Sequence, residues 1–494
     1  MDRIYITRAY YVMVALLGAR LFFAAYPPLG VDETYAVAAA RGFSLSFFDH
    51  PPVAFNAAMF SSVIFGAETP FVFRLPTVLF GIVTAWFMWK IGLELGGPRA
   101  GFWTIVLYAL SPAFALSGSF IVPDGPLNMG AAICVYWLVR IAQNDAPAPL
   151  IHWIWVGLGL AIALASKYQA GLIPVMTLGF AILFGRGRAW FGQPGPYVAT
   201  ILGVFGLLPT LLWNMQNGWA SFVFHSARTG DGINLDNFAL MFAGQLAYLL
   251  PPIAVLAVRA VWRHSARSVA PEQMLLALIA LGPIVAFNII YLFSAKSFPH
   301  WTMPGWLFAL PLAGLMLSEG SDVLRARAAK WIGGFAVVVF GLVGILAVHL
   351  QTGVLTKYTT DEIPAWDRTW DAFDYSGLEG ELDKRGLLDG LQIIAARSWI
   401  QASYMSTALK GAYPVKVLRG NPHHFPYVPG ADAVGRALLL TPDVLGRAAW
   451  SDEKLLELAQ RTDPNAQVLA PIILQRGGRD YVRVSVIEMT FRQP

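Results

Sequence analysis

Charge is what this sequence has least of. Only 13% of its 494 residues are Asp, Glu, Lys or Arg, about half the share of a soluble globular chain, which excludes an ordinary soluble protein. Cysteine is nearly absent too. The single Cys134 sits in an apolar stretch, so no disulfide framework holds the fold and thiols do not reveal the redox compartment. A basic patch is also missing: the net charge is +5 and the pI about 9.2, but the cations scatter to the ends of apolar runs, which argues against nucleic acid. No internal repeat and no low-complexity tract is visible. The opening MDRIYITR lacks an A-x-A-like cleavage site before its apolar run, so a retained first span is expected rather than a removed signal peptide.

What is abundant is apolar: 56% of residues are hydrophobic and the mean hydropathy is +0.55. Runs of about 20 apolar residues, enough to cross roughly 30 Å of hydrocarbon, recur through the first 350 positions. Eleven spans are predicted, near 8–26, 71–93, 100–119, 126–143, 151–166, 170–184, 197–213, 238–261, 273–293, 302–318 and 330–349. The fifth and sixth, separated by SKYQAG, read either as half-length helices around a re-entrant break or as a kinked hairpin. Beyond residue 350 the composition changes, since 16 of the 35 Lys/Arg and 17 of the 30 Asp/Glu fall there. This predicts a membrane domain over 1–349 and a soluble α/β domain over 350–494. In the latter LQIIAAR, YPVKVL, ADAVGRALLLT and RDYVRVSVIE read as strands, and SWIQASYMSTALK and SDEKLLELAQR as helices.

Most cations of the apolar part, such as Arg3, Arg8, Lys90, Arg140, Arg186 and Arg263, group at one set of span ends. That places the N-terminus in the cytoplasm and the C-terminal domain outside. Six cations run against the trend: Arg20, Arg41, Arg74, Lys167, Arg228 and Lys296. They share the outer side with Asp32, Glu33, Asp49, Glu68, Asp124, Asp231 and Asp236. The first outer loop, about 27–70, reads as two interfacial helices, ETYAVAAAR closed by Gly42, and PPVAFNAAMFSSVIF entered through Pro51 and Pro52.

Four groups carry chemistry. In V-D-E-T-Y at 31–35, Asp32 and Glu33 suit the start of a helix, Asp32 as its cap. Equally, two adjacent carboxylates beside hydrocarbon have raised proton affinity and suit a general base. In F-F-D-H-P-P at 47–52, Asp49 and His50 can cap a helix, hold a divalent cation or meet a phosphate through a protonated ring. The turn I-V-P-D-G-P-L carries Asp124, as an ordinary turn acid or a second site acid. Arg74, Lys167, Arg228, and Lys296 with His300, read singly as headgroup anchors and jointly as an anion site. Tyr168, Trp213, Trp219, Trp301 and Trp306 fit an interface belt at least as well as sugar-stacking platforms.

Taken in order, V-D-E-x-Y, D-H-P-P, R-L-P, P-D-x-P-L, S-K-Y, W-N-x-x-x-G-W-x-S-F and H-W-x-x-P resemble the bacterial branch of the protein O-mannosyltransferase and aminoarabinose (lipid A) transferase superfamily. These are membrane glycosyltransferases of the GT-C fold, related to family 39. The likeness runs over about 20–310; the C-terminal domain carries no matching motif. The resemblance implies an all-α GT-C membrane domain, a sugar donor on polyprenyl phosphate, and Asp32 and Asp124 as the catalytic acids. Lys167, Arg228 and Lys296 match basic positions of that family, and with His50 and Arg74 they are expected to contact the donor phosphate. Glu33, Tyr35, Tyr168, Trp219, His300 and Trp301 would contact substrate, and a divalent metal would rest on Asp49, His50 and His225. The chain departs from the aminoarabinose transferases at Asp49-His50, where those enzymes carry Glu-Lys.

The expected function is transfer of a sugar from undecaprenyl phosphate to a hydroxyl of an envelope glycolipid, glycan or protein, at the outer face of a bacterial inner membrane. A flippase of lipid-linked sugars is the rival. Transporters place ionisable groups near the midplane and often carry paired repeats, and neither pattern is visible. A receptor-like protein is a third reading, resting on the unassigned C-terminal domain.

Overall fold

The computed structural model describes residues 2–226, 232–265, 269–294, 297–357, 367–447 and 449–492. Among them, seven helices are long and apolar enough to cross a membrane, or nine if each of two bent pairs counts as one span. Two features separate these figures from the expected eleven. Pro70–Leu110 runs as one element of 41 residues although Gly96 and Gly97 are non-helical inside it, so it holds two expected spans. Leu150–Leu164 has 15 residues, fewer than the roughly 20 needed to cross hydrocarbon.

Prolines correct two of the predicted spans. The run 100–119 stops as a helix at Leu110, and a short helix Pro112–Ser117 follows, because Pro112 disfavours a helical Ser111. The run 238–261 is not continuous. Leu235–Leu249 and Pro251–Arg263 meet at 98°, with Leu250 at φ +68° ahead of Pro251, whose ring cannot continue the preceding helix. The segment at SKYQAG separates Leu150–Leu164 from Tyr168–Leu183, which bends by 102° into Gly185–Gly192.

The residues form two compact units. One comprises Met1–Ala24, His50–Ala54 and Arg74–Leu342; the other comprises Ala25–Asp49, Phe55–Phe73 and Val343–Pro494. The second is therefore not the C-terminal stretch alone, since it includes most of the first outer loop.

In the first unit, helices Asp124–Ala142 and Leu150–Leu164 touch backbone to backbone. A Cβ on Gly130 would lie 2.6 Å from the Ala163 nitrogen, and one on Gly159 2.6 Å from the Cys134 nitrogen; small residues allow this approach in membrane helices. Two of the exceptional cations have structural partners here. Arg20, fully buried, donates to the Tyr108 hydroxyl at 2.9 Å and the Phe114 carbonyl at 2.8 Å. Arg74 donates to the carbonyls of Phe23 and Ala24 at the end of the first helix and lies 5.1 Å from the Phe120 ring. A cation at a helix C-terminus satisfies carbonyls that lack intrahelical donors.

The second unit contains a five-stranded sheet: β1 (Ile393–Ala396), β2 (Val415–Val417), β3 (Gly435–Val444), β4 (Gln467–Arg476) and β5 (Arg479–Phe491), in the order β2-β1-β3-β5-β4. β1 is parallel to β2 and β3; β5 is antiparallel to β3 and β4. Four strands and the helices Trp399–Ala408 and Asp452–Gln460 match the sequence expectation. β4 does not, because Pro471 interrupts its pattern; a register shift between Leu469 and Ile472 absorbs the proline. The β4–β5 turn is Gly477-Gly478, both at positive φ, as a tight hairpin requires. The outer-loop helices form as predicted, at Val31–Ala39 and Val53–Phe65. The first packs on Trp399–Ala408, where the Thr407 hydroxyl donates to the Thr34 carbonyl at 3.4 Å.

The glycine contact gives a stability prediction. Gly159→Ala should lower unfolding stability by about 1–3 kcal/mol, the usual cost of overpacking a tight interface, measured by thermal unfolding of the detergent-solubilised protein.

Candidate functional site

Each unit gathers part of the predicted set. In the helical unit, Asp124 is the first residue of helix Asp124–Ala142, where a carboxylate suits the helix dipole. Lys167 follows Leu150–Leu164, its backbone nitrogen bonded to the Ala163 carbonyl. Its Nζ donates to both Asp124 oxygens, at 3.0 and 2.8 Å, and both side chains are largely buried. An ammonium has three N–H donors; Asp124 takes two, and no other described residue takes the third. His300, His50 and Tyr248 stand within electrostatic reach of Asp124. Each imidazole carries a ring N–H that can donate beside the ammonium, and such donors suit an anion.

The other predicted residues of this unit divide. Tyr168 shares a 2.8 Å hydrogen bond with Ser221 and lies 5.4 Å from the His225 ring. Trp219 contacts Phe222 and is 47% exposed. Trp301 is half-buried and lies against the rings of Phe287, Tyr291 and Phe298. Arg74 faces main-chain carbonyls, as described above. Arg228 and Lys296 lie outside the described residues.

In the other unit the acids gather. The cap of helix Val31–Ala39 is Gly30, not Asp32, and Glu33 supplies the capping contact by accepting from the Gly30 N–H at 3.0 Å. Asp32 is thereby released: it makes no hydrogen bond or ion pair to the described residues. Its residue is exposed, at a surface where neighbouring protein removes part of its water. That partial dehydration, followed by the charges of Asp49, Glu33 and Asp371, raises its proton affinity above that of an ordinary carboxylate. Asp49 accepts from the Tyr35 hydroxyl at 3.1 Å, and burial next to Asp49 pushes the Tyr35 hydroxyl well up.

Sequence reasoning missed five neighbours from the C-terminal segment: Asp371, Trp399, Tyr404, His423 and His424. Their one visible signal was the pair of adjacent histidines in N-P-H-H-F-P. His423 Nδ1 faces Asp49 Oδ2 at 3.6 Å. His424 Nδ1 accepts from the Phe48 N–H at 3.1 Å, and burial holds this ring neutral, its pKa pushed down to about 4. The metal expectation at Asp49, His50 and His225 is not met by a fitting donor set. Asp49 is engaged by Tyr35 and His423, His225 lies against Tyr168, and among the described residues no three His, Cys, Asp or Glu side chains gather to hold an ion.

Comparison with known proteins follows this geometry. Residues 49–213, about a third of the chain, match the family model of dolichyl-phosphate-mannose-protein mannosyltransferases. The structure superposes on the crystal structure of apo ArnT from Cupriavidus metallidurans with a TM-score of 0.67, over 98% of both chains at 14% identity. The chain has the GT-C fold. On the same ArnT bound to undecaprenyl phosphate the TM-score is 0.64, at 15% identity and the same 98% coverage of each chain. No curated protein matches by sequence. The shared GT-C architecture covers the C-terminal sheet as well as the helices, since both chains align over nearly their whole length. It makes this a multi-pass membrane protein.

The buried pair yields a prediction. Lys167→Ala alone strands a buried carboxylate and should cost about 3 kcal/mol. Lys167→Ala with Asp124→Ala should cost less than the sum of the single changes, with a coupling on the order of 2 kcal/mol. Unfolding of the four proteins in one detergent measures the coupling.

Proposed function

We propose that this chain is an integral-membrane, inverting glycosyltransferase whose donor is a sugar on polyprenyl phosphate, undecaprenyl phosphate in a bacterium. Its acceptor is a hydroxyl of an envelope glycolipid, glycan or protein, and its active centre faces the periplasm from the inner membrane. The observation that carries the reading is Asp32, a carboxylate without a hydrogen bond to the described residues, whose proton affinity is raised by its surroundings. The family matched by residues 49–213 is named for mannose transfer from dolichyl phosphate, and ArnT of the same fold binds undecaprenyl phosphate. Both support a lipid-phosphate donor.

The reaction is a single displacement. The acceptor oxygen attacks the anomeric carbon and gives its proton to Asp32, while the bond from that carbon to the phosphate oxygen breaks and the polyprenyl phosphate departs. In the helical unit, the third Lys167 N–H and the neighbouring His300 and His50 suit a phosphate, and such contacts strengthen where water is excluded. Asp124 fixes the Lys167 ammonium. Asp49 and Tyr35 hold the acidic surroundings that keep Asp32 basic enough to accept a proton.

Asp32→Asn should lower turnover at least about 100-fold with the melting temperature unchanged, measured with purified protein and undecaprenyl-phosphate-linked sugars. Asp32 must be ionised to act. Because its pKa is raised, turnover of the unaltered enzyme should begin to fall, as pH decreases, at a higher pH than an ordinary carboxylate would give. A pH–rate profile of kcat/KM checks this. An Asn variant with near-normal turnover removes Asp32 from the mechanism, and lipid-linked sugar moved between leaflets without transfer would favour a flippase.

A further inference from the structure

Asp49 is held from two directions within one compact unit. From the first outer loop comes the Tyr35 hydroxyl, 3.1 Å from Asp49 Oδ1. From the C-terminal segment comes His423, whose Nδ1 stands 3.6 Å from Oδ2. The peptide just before Asp49 is also held from that segment, through the Phe48 N–H to His424. Tyr35 itself is enclosed by Trp399 at 5.2 Å and His423 at 5.7 Å, both edge-on, with Phe55 on another side. Trp399 and His423 in turn lie 4.6 Å apart.

The backbone at His423 is built for this. Its φ is +53°, a left-handed conformation that costs a non-glycine residue free energy, and Asn421 Oδ1 holds its N–H at 2.8 Å. A turn that simply reversed the chain would place glycine or asparagine there. The strained imidazole faces a carboxylate instead.

We infer that the C-terminal domain is a working part of the centre: His423, braced by Trp399, is a positioning residue that fixes Asp49 and Tyr35 and, through them, the acidic surroundings of Asp32. This rests on the glycosyltransferase reading above. Among the described residues, the other charged or titratable groups around Asp32 and Asp49 include Glu33, Asp371, Tyr404 and His424. At 3.6 Å the His423–Asp49 contact is longer than a hydrogen bond, and contacts of this kind tighten when substrate is bound.

Two variants separate positioning from packing. His423→Phe keeps an aromatic ring between Trp399 and Tyr35 but removes the nitrogen. His423→Asn loses the ring but keeps an N–H donor where Nδ1 stood, and asparagine tolerates the left-handed backbone. The full-length protein, with an undecaprenyl-phosphate-linked sugar as donor, is assayed for kcat and KM beside wild type and Asp32→Asn, with melting temperatures recorded. The expected result is a loss of about 10-fold or more in kcat for His423→Phe with donor KM changed less than about 2-fold, and recovery of most turnover in His423→Asn. The reverse order, with His423→Phe near normal and His423→Asn impaired, would show a packing role and overturn the inference. So would two near-normal variants while Asp32→Asn is dead, an outcome that leaves the glycosyltransferase reading standing. No sugar transfer by the wild-type protein with any lipid-linked sugar would remove that reading, and the inference with it.

Discussion

An ammonium bonded to both oxygens of a carboxylate, inside an apolar helical unit, is the contact on which this molecule depends. Charges away from water are costly unless paired and hydrogen-bonded, and the sequence places few of them among its spans. How each buried cation spends its donors separates frame from site. Arg20 gives its guanidinium to a tyrosine hydroxyl and to carbonyls at 2.8 and 3.3 Å. Arg74 gives its own to the carbonyls of Phe23 and Ala24. Both stitch helix ends, as neutral carbonyl partners allow. Lys167 meets an acid and retains a donor, beside two histidines. On the function proposed above, such a group is neutralised by its acid and can still meet a phosphate.

The acid-bearing unit follows a similar economy. One residue of the Asp-Glu pair does structural work so that its neighbour does not have to. Glu33 closes the first turn of its helix onto Gly30, and Asp32, one position earlier, is left facing a crowded, partly dehydrated surface with other acids near it. Were Asp32 the cap, bonds from backbone N–H groups would stabilise its charge and weaken it as a base. The cap of the short helix Val31–Ala39 lies at Gly30, two residues before Asp32, and that leaves the Asp32 carboxylate outside the capping contacts. The C-terminal segment adds to this from more than 300 residues away in sequence, through His423, His424 and Asp371.

Much of the helical architecture was legible because apolar runs of membrane length leave little choice of structure. Failures came where single prolines and glycines decide. Leu250-Pro251 turned one expected span into two helices, and Pro112 shortened another. Pro471 hid a whole strand, since a bulge can absorb what a pattern cannot show. Asp124 and Lys167 were both readable as exceptional charges in outer turns, but their pairing was not, because 43 residues separate them. Arg74 looked like a phosphate ligand for the same reason that Lys167 did, and its contacts with the Phe23 and Ala24 carbonyls set it apart. Near Asp32 the loop residues were visible and the C-terminal ones were not. His423 and His424 sit in a turn whose composition speaks only of a turn, and tertiary folding alone brings them to Asp49.

The central claim is that Lys167, held by Asp124, is there for a phosphate carried on a lipid. Competition binding to purified protein in nanodiscs tests it most directly, with undecaprenyl phosphate and undecaprenol as matched competitors for a labelled polyprenyl phosphate. The account predicts that the phosphate competes at least about 10-fold better than the alcohol, and that this advantage shrinks as salt is raised. Equal competition by the alcohol would mean that the protein grips only the chain, and would contradict the account.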